Sequence, residues 1–345
     1  MTADGVINVN KQTGWTSHDV VAKLRGLLKI KKVGHMGTLD PMATGVLPVC
    51  LGKGTKVIPF LMDAEKEYDA VLCLGQETDT QDATGKVIRS CNVPLKDADR
   101  LYLEGGVRSI SQTLRSFVGT YRQTPPMYSA VKVKGTPLYK TARAGKVVVR
   151  RPREVFIREI RLHKIEGSDI FFSVVCSKGT YIRTLCSDIG AKLGVGGHLR
   201  SLRRTRSGNF HLCNAIEIEP LCELYMKGGW EKEVTPLNEV LKDLPALWVK
   251  ERYLDRLRHG VQIGKQGIAE WEPFERGASL RFLDCQGELL ALGKALLNSD
   301  AVELRGERPE NVFKIKKVLS DIESPAERWL YEQESKNGSK YQHMV

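Results

Sequence analysis

One twelve-residue string, Gly34-His35-Met36-Gly37-Thr38-Leu39-Asp40-Pro41-Met42-Ala43-Thr44-Gly45, constrains the fold more than any other stretch of the chain. Its glycines permit φ > 0 or the close approach of another backbone segment. Pro41 locks its own φ and pushes Asp40 into an extended conformation. The string is therefore a shaped loop, and Asp40 is its only carboxylate. A helical pattern precedes it, with Val20, Val21, Leu24, Leu27 and Leu28 on one face, and the apolar run Val46-Leu47-Pro48-Val49-Cys50-Leu51 follows as a strand. An arbitrary Asp-Pro is usually a turn in which the acid bonds its own backbone. A lone, rigid acid between two core elements also suits a catalytic group that must not move.

The 345 residues suffice for about two domains and a sizeable core. No apolar run approaches the roughly 18 residues that span a bilayer. The start, Met1-Thr2-Ala3-Asp4-Gly5, lacks the basic and apolar regions of a signal peptide, so a cytoplasmic protein that does not enter membranes is expected. The eight cysteines are scattered, with no C-x-x-C pair. Neither a zinc site nor a disulfide framework is expected from them.

The formal net charge of +12 favours a polyanionic partner. The charge is clustered. Lys29, Lys31 and Lys32 precede the Asp40 loop; Arg143, Lys146, Arg150, Arg151, Arg153, Arg158 and Arg161 form a second group; Arg200, Arg203, Arg204 and Arg206 form a third. Clusters that flank a candidate site favour nucleic acid over a small acidic molecule. Arg203 and Arg204 are expected at phosphates or at a sheet edge.

Further elements follow in order. Gly5–Lys11 alternates as a strand, and Ser17 is expected to cap the first helix. Lys66–Gly75 reads as a strand that places Tyr68 with Ala70 and Leu72 on one face. Residues 75–85 form a turn-rich connection whose carboxylates read as turn-formers; a metal reading of Asp79 and Asp82 finds no further ligands nearby. Leu103, Val107, Ile110, Leu114 and Phe117 give a helical pattern over 96–117, weakened by Gly105 and Gly106. Val147–Lys164 and Ile170–Cys176 read as strands. Ile182, Leu185, Ile189 and Leu193 start a helix near Thr180, with Tyr181 and Arg183 in its first turn. After about residue 240, short strands with glycine turns indicate a small β-barrel, and Ser335–Val345 reads as a polar, disordered end.

The Asp40 string resembles the catalytic loop of the TruB family of pseudouridine synthases, GH-x-GTLDP-x-ATG, with Met36 and Met42 at the free positions. Three further stretches agree. Gly75–Gly85 matches G-x-x-T-D-T-x-D-x-x-G, Pro125–Ala130 matches P-P-x-Y-S-A, and Cys176–Arg183 matches C-S-x-G-T-Y-I-R. Gly196–Arg204 is similar to the family's G-x-H segment ending in L-R-R. The resemblance implies an α+β pseudouridine synthase core with a mixed, largely antiparallel sheet and helices over residues 1–243. A thumb-like insertion at about 123–153 would fold over an RNA arm. Residues 244–320 are similar to a PUA domain, an RNA-binding module, and 321–345 remain as a tail.

The resemblance also implies roles. The expected activity is isomerisation of uridine 55 in the T arm of tRNA to pseudouridine, by a monomer that needs no cofactor and no guide RNA. Asp40 would be the essential acid, attacking C1′ or C6 as a nucleophile or removing the C2′ proton. Arg183 would pair with it as a bidentate guanidinium and favour its ionised form. Asp40 needs no unusual pKa for this, since a free Asp titrates near 3.9. Tyr68 would stack on the uracil and stand as candidate base for the C5 proton. His35 would fill the space that the flipped nucleotide leaves. Leu202 would wall the uracil pocket, Tyr181 would sit beside it, and Lys11 would support the loop. Two alternatives share these features: a guide-RNA-dependent enzyme of the Cbf5 or dyskerin kind, and a tRNA-binding chaperone without catalysis.

Overall fold

The computed structural model describes residues 4–97, 99–103, 106–129, 131–133, 135–138, 141, 148–304 and 312–320. Its first unit runs to Thr235 and its second begins at Pro236. In the first unit the elements are β1 (Gly5–Lys11), α1 (Ser17–Leu28), β2 (Val33–His35), β3 (Thr44–Leu51), β4 (Lys66–Leu74), β5 (Gly119–Gln123), β6 (Arg153–Glu166), β7 (Asp169–Cys176), α2 (Ile182–Leu193), β8 (Gly197–Ser207) and the short β9 (Val234–Pro236). They build a ten-stranded sheet in the order β5-β6-β7-β4-β8-β3-β1-β9, with β2 beside β3 and Phe210–His211 beside β8. The sheet is mixed and mostly antiparallel, as expected; β8 and β3 run parallel.

Strand β8 is the pivot. Arg204 is the register partner of Tyr68 on β4 and also of Gly45 on β3. One residue thus brings the end of the Asp40 loop and the strand that carries Tyr68 to its two sides. Ala70 and Leu202 face each other two residues further along the same pair. Helix α2 buries Ile182, Leu185, Cys186, Ile189 and Leu193. Helix α1 buries Val20, Val21, Leu24 and Leu28. Their apolar stripes join the sheet in one core with Leu47, Leu72, Phe172 and Leu199.

Several local expectations change. Thr16, not Ser17, caps α1: its side chain accepts from Asp19 N while Asp19 accepts from Thr16 N. Ser17 turns inward instead and bonds Leu39 in the loop. Tyr181 is the N-cap residue of α2 and lies outside the helix, so only Arg183 sits in the first turn. The strand expected from Val147 begins at Arg153; residues 142–147 lie outside those described. So do several residues of the thumb-like insertion and the whole 321–345 tail.

Residues 96–117 are not one helix. Leu95–Asp97, Arg100–Leu103 and Gly106–Ser109 form a three-stranded meander, and the helix occupies only Ile110–Arg115. Of that apolar pattern, Ile110, Leu114 and Phe117 are buried, in the short helix and just after it. Each glycine costs a helix roughly 1 kcal/mol. Asp99, moreover, accepts from Ser111 N and from the Ser109 and Ser111 hydroxyls, which starts the helix late.

The second unit holds a five-stranded sheet in the order Ile268–Trp271, Ala246–Val249, Ser279–Leu283, Leu289–Ala295, Phe313–Val318. Phe274, Phe282 and Phe313 meet edge-to-face in its core. Among the described residues the first and last strands do not pair, so this is an open sheet rather than the closed barrel expected. Among the described residues no helix is long and apolar enough to cross a membrane.

Candidate active site

The Asp40 loop is held by nearly every neighbour it has. Ala43 N donates to Asp40 O, closing a tight turn over Pro41 and Met42. Gly14 N and Thr13 Oγ1 hold Pro41 O and Met42 O. Leu39 N donates to Ser17 Oγ at 2.8 Å. Gly37 and Gly45 both adopt φ > 0. A Cβ at Gly45 would fall 2.2 Å from Arg204 O, so the loop can dock on β8 only with glycine there.

Lys11 supplies the loop's other strap. It is fully buried, and its Nζ donates to Gln12 O, Trp15 O and Pro41 O. Burial lowers its pKa to about 8, with Asp40 opposing that shift and Arg204 adding to it. All three donors of the ammonium are directed at main-chain carbonyls, which makes Lys11 a support of the loop.

Arg183 faces Asp40 as the sequence predicts. Its Nε lies 2.9 Å from Asp40 Oδ2 and its Nη2 donates to Oδ1 at 3.3 Å. The same guanidinium donates through Nη1 to Asp82 Oδ2 at 3.3 Å and through Nη2 to Tyr128 O at 3.0 Å. Arg183 is buried, whereas the Asp40 side chain keeps 31% of its surface exposed. Burial pushes the Asp40 carboxyl above the ordinary range; Arg183 pulls it back down, Asp82 pushes it further up and Lys11 lowers it. The Asp40 carboxyl therefore differs from the free acid, chiefly because burial outweighs the pull of Arg183, with the neighbouring Asp82 charge adding to the rise.

Asp82 is the residue that sequence reasoning missed. It does form a turn, accepting from Thr80 Oγ1, Thr84 N and Thr84 Oγ1 at 2.6–3.0 Å. It is also buried and reaches Arg183 across 101 residues of sequence. A turn-forming acid and an arginine ligand look the same in sequence. The only available signal was its place in a second diagnostic string.

Tyr68 and Leu202 lie on one face of adjacent strands, and both are buried. Burial raises the Tyr68 phenol, with the Arg204 charge opposing, so the ring keeps its proton at neutral pH. Tyr68 can then stack or donate, and it accepts a proton only after passing on its own. Tyr181 is half-buried at the N-cap of α2, and burial raises its phenol too. His35 ends β2, half-buried, with no hydrogen-bond partner at Nδ1. Burial lowers its pKa and keeps the imidazole neutral. No hydrogen bond joins His35 to Asp40, Tyr68 or Arg183.

Arg204 does not serve phosphates. It is 1% exposed, and it donates from Nε to Val46 O at 2.6 Å and from Nη2 to Gly37 O at 3.1 Å. Other members of the arginine clusters are neutralised in ion pairs: Arg158 with Glu65, Arg200 with Asp169 and Arg206 with Glu67, with Arg161 beside Glu159. Lys29, Lys31, Lys32, Arg151, Arg153 and Arg203 are exposed. They are the better candidates for a cationic footprint.

Comparison with known proteins fits this geometry. The family profile described as TruB family pseudouridylate synthase (N terminal domain) matches residues 25–182, and that of the tRNA pseudouridylate synthase B C-terminal domain matches 183–248. The chain is 40% identical over 318 residues to tRNA pseudouridine synthase B of Syntrophotalea carbinolica, covering 92% of this chain and 98% of that protein. It is 42% identical over 317 residues to the protein of the same name in Clostridium perfringens strain 13, covering 92% and 99%. Among solved structures, a chain from a Cbf5-Nop10-Gar1 complex superposes with a TM-score of 0.73 at 33% identity, covering 93% of this chain and 86% of that one. A chain from an H/ACA RNP bound to a substrate RNA containing 2'-deoxyuridine gives 0.72 at 30%, covering 93% and 87%.

Proposed function

The chain belongs to the TruB family of pseudouridylate synthases, and from that premise we propose that it isomerises uridine 55 in the T arm of tRNA to pseudouridine, alone and without a guide RNA. The reaction detaches uracil at N1, turns it and rejoins it to ribose through C5. Its atoms are hidden while the base is stacked, so the nucleotide must first be flipped out. His35, neutral and half-buried at the end of β2, takes the vacated place in the RNA. The uracil enters between Tyr68 and Leu202.

The observation that carries this reading is the ion pair of Arg183 with a partly exposed Asp40, in which Nη2 donates to Oδ1 and Nε lies 2.9 Å from Oδ2 without a hydrogen bond of its own. Each route open to Asp40, at C1′, at C6 or at the C2′ proton, begins from the anion. Arg183 favours that anion by pulling the carboxyl pKa back down against burial, and it orients the carboxylate. Any bond or proton that Asp40 takes is given back, the N1–C1′ bond is replaced by a C5–C1′ bond, and the proton lost from C5 is matched by one gained at N1, so the isomerisation is redox-neutral and calls for no cofactor. Tyr68 is the candidate to relay that proton. The curated relatives named for tRNA match over nearly their whole length at 40–42% identity, above the 33% of the Cbf5-Nop10-Gar1 chain. That ordering supports the stand-alone reading.

Residues 1–243 are read as the catalytic domain of a cytoplasmic monomer, with 123–153 as a thumb over the RNA. Residues 244–320 are read as a PUA-like RNA-binding module. Arg252 and Arg256 beside the Tyr253 ring, and Lys265 near Trp271, support contact with nucleic acid there.

The test uses an unmodified tRNA transcript carrying tritium at uridine C5, with no guide RNA. Wild type should release tritium and Asp40→Asn should not. Tight binding without release by wild type would favour a guide-dependent enzyme or a chaperone.

A further inference from the structure

Strand β5 ends at Gln123, where the insertion begins, and Gln123 is the register partner of Arg153, where the insertion ends. Gln123 is 1% exposed. Its side-chain amide makes two hydrogen bonds to a single residue: Oε1 accepts from Tyr181 N at 2.8 Å, and Nε2 donates to Tyr181 O at 2.9 Å. Tyr181 is the N-cap of α2, and no side chain of its own caps that helix. Two residues on, Arg183 leaves the helix for Asp40 and for Tyr128 O inside the insertion. The root of the insertion therefore holds the backbone just before Arg183, while its first segment takes one of the guanidinium donors.

We propose that Gln123 is a positioning residue of the catalytic pair: by clamping Tyr181 it sets the start of α2, and with it the placement of Arg183 over Asp40. The proposal rests on the Asp40–Arg183 reading of the site. It also gives the insertion a mechanical link to the chemistry, because any movement at the insertion's root is transmitted to the N-cap of α2. A second tie runs alongside. Tyr121, two residues earlier on the same strand, donates to Asp188 further along α2 and also interacts with the Gln123 side chain. The Asp188 tie docks strand to helix away from the guanidinium, and because Tyr121→Phe leaves both Gln123–Tyr181 hydrogen bonds in place it provides the control.

The expected signature lies in the pH profile. The charged groups that face Asp40 are Arg183, Asp82 and Lys11, and the neutral phenols of Tyr68 and Tyr181 face it too. The titratable groups near position 123 are Tyr121, Asp188 and Arg153. Of the three charges around Asp40, only Arg183 is placed by Gln123. Loosening Arg183 leaves the Asp40 anion less stabilised, so the acid limb of the rate moves to higher pH. A purely structural loss would lower the folded fraction and leave that limb where it was.

Single-turnover rates should be measured at saturating tRNA across the acid limb for wild type, Asp40→Asn, Gln123→Met, Gln123→Glu and Tyr121→Phe, each checked for folding by circular dichroism. Gln123→Met should slow the step about ten- to a hundred-fold, the scale of an ångström-level misplacement, with tRNA affinity within about twofold of wild type and the acid limb moved up. Gln123→Glu keeps the acceptor for Tyr181 N and loses the donor to Tyr181 O, so its rate should be intermediate. Tyr121→Phe should leave the limb in place. An unchanged rate and limb in folded Gln123→Met would overturn the proposal, and so would an equal limb shift in Tyr121→Phe. If Gln123→Met does not fold, a folded Gln123→Glu with wild-type rate and limb overturns it equally. An active Asp40→Asn would instead overturn the reading of the site itself.

Discussion

The Asp40 loop and the Asp82 loop each give one carboxylate to the same arginine, yet the two acids are held in opposite ways. Asp82 is buried, and its oxygens accept from Thr80, Thr84 and Arg183. In the other loop the backbone is fixed and the acid is left open: among the described residues Arg183 is what pairs with the Asp40 carboxylate, and 31% of that side chain is exposed. A saturated carboxylate has no lone pair left for a substrate. One with a single, charge-assisted partner and an open edge can react. The pair thus divides the work, with Asp82 anchoring the arginine and the arginine aiming Asp40.

The largest effect should separate the two acids by activity. Asp40→Asn should lower the rate by more than about 1,000-fold, the scale seen when a reacting group is removed, in the tritium-release assay. Its stability should not fall with it. Burial raises the folded pKa of Asp40 above its unfolded value, so the folded state binds that proton more tightly. Stability from this group is present at low pH and is lost as pH rises through the unfolded and then the folded pKa. At neutral pH the anion is a cost that Asn does not carry, and Asn still accepts from Arg183. A melting temperature no lower than wild type, by calorimetry, is expected.

Arg183→Lys comes next. A lysine can reach one acid as a point charge but cannot fork across Asp40 while holding Asp82 and Tyr128 O. The rate should fall about a hundred-fold, as for a displaced catalytic group, and wild-type turnover would break the proposed division of work. Asp82→Ala should show the opposite balance to Asp40→Asn. It leaves Thr80, Thr84 and part of Arg183 unsatisfied, on the scale of about 3–5 kcal/mol for a broken buried pair, read as a lowered melting temperature. Asp82→Asn is milder and sharpens the electrostatic point. Asp82 raises the Asp40 pKa, so removing its charge should move the acid limb of the rate to lower pH.

The same contrast explains what was legible in the sequence. The Asp40 loop could be read because it is built from residues with backbone meaning, Gly37, Pro41 and Gly45, and local chemistry sets its shape. The strands carrying Tyr68 and Leu202 followed from alternation. Asp82, Gln123 and Arg204 matter through partners 101, 58 and 158–167 residues away, and nothing in their local sequence marks that. Arg204 illustrates the point: among arginines 200, 203 and 206 it reads as part of a phosphate patch, yet its pairing with Gly45 and Tyr68 buries it under the loop. The meander at 95–109 was missed for a related reason. Its apolar positions Leu103 and Val107 continue into Ile110 at a helical period in the sequence, and the deciding factor, the capping of Ile110–Arg115 by Asp99 and Ser109, lay at the far end.

Asp79 supplies the finest test, since it shares the loop with Asp82 and the same residue type. Its Oδ1 accepts from Lys86 N at 2.8 Å at an exposed position, and among the described residues Arg183 makes its hydrogen bonds and ion pairs with Asp40, Asp82 and Tyr128 instead. Its work is confined to one turn. Asp79→Ala should therefore cost no more than about 1 kcal/mol, the net value of one such hydrogen bond, and leave both the tritium-release rate and its acid limb unchanged. If Asp79→Ala moved the limb as far as Asp82→Asn, the whole loop rather than the Asp82 carboxylate would be tuning Asp40. An inert Asp79→Ala beside an active shift in Asp82→Asn would confine the coupling to the acid that touches the arginine.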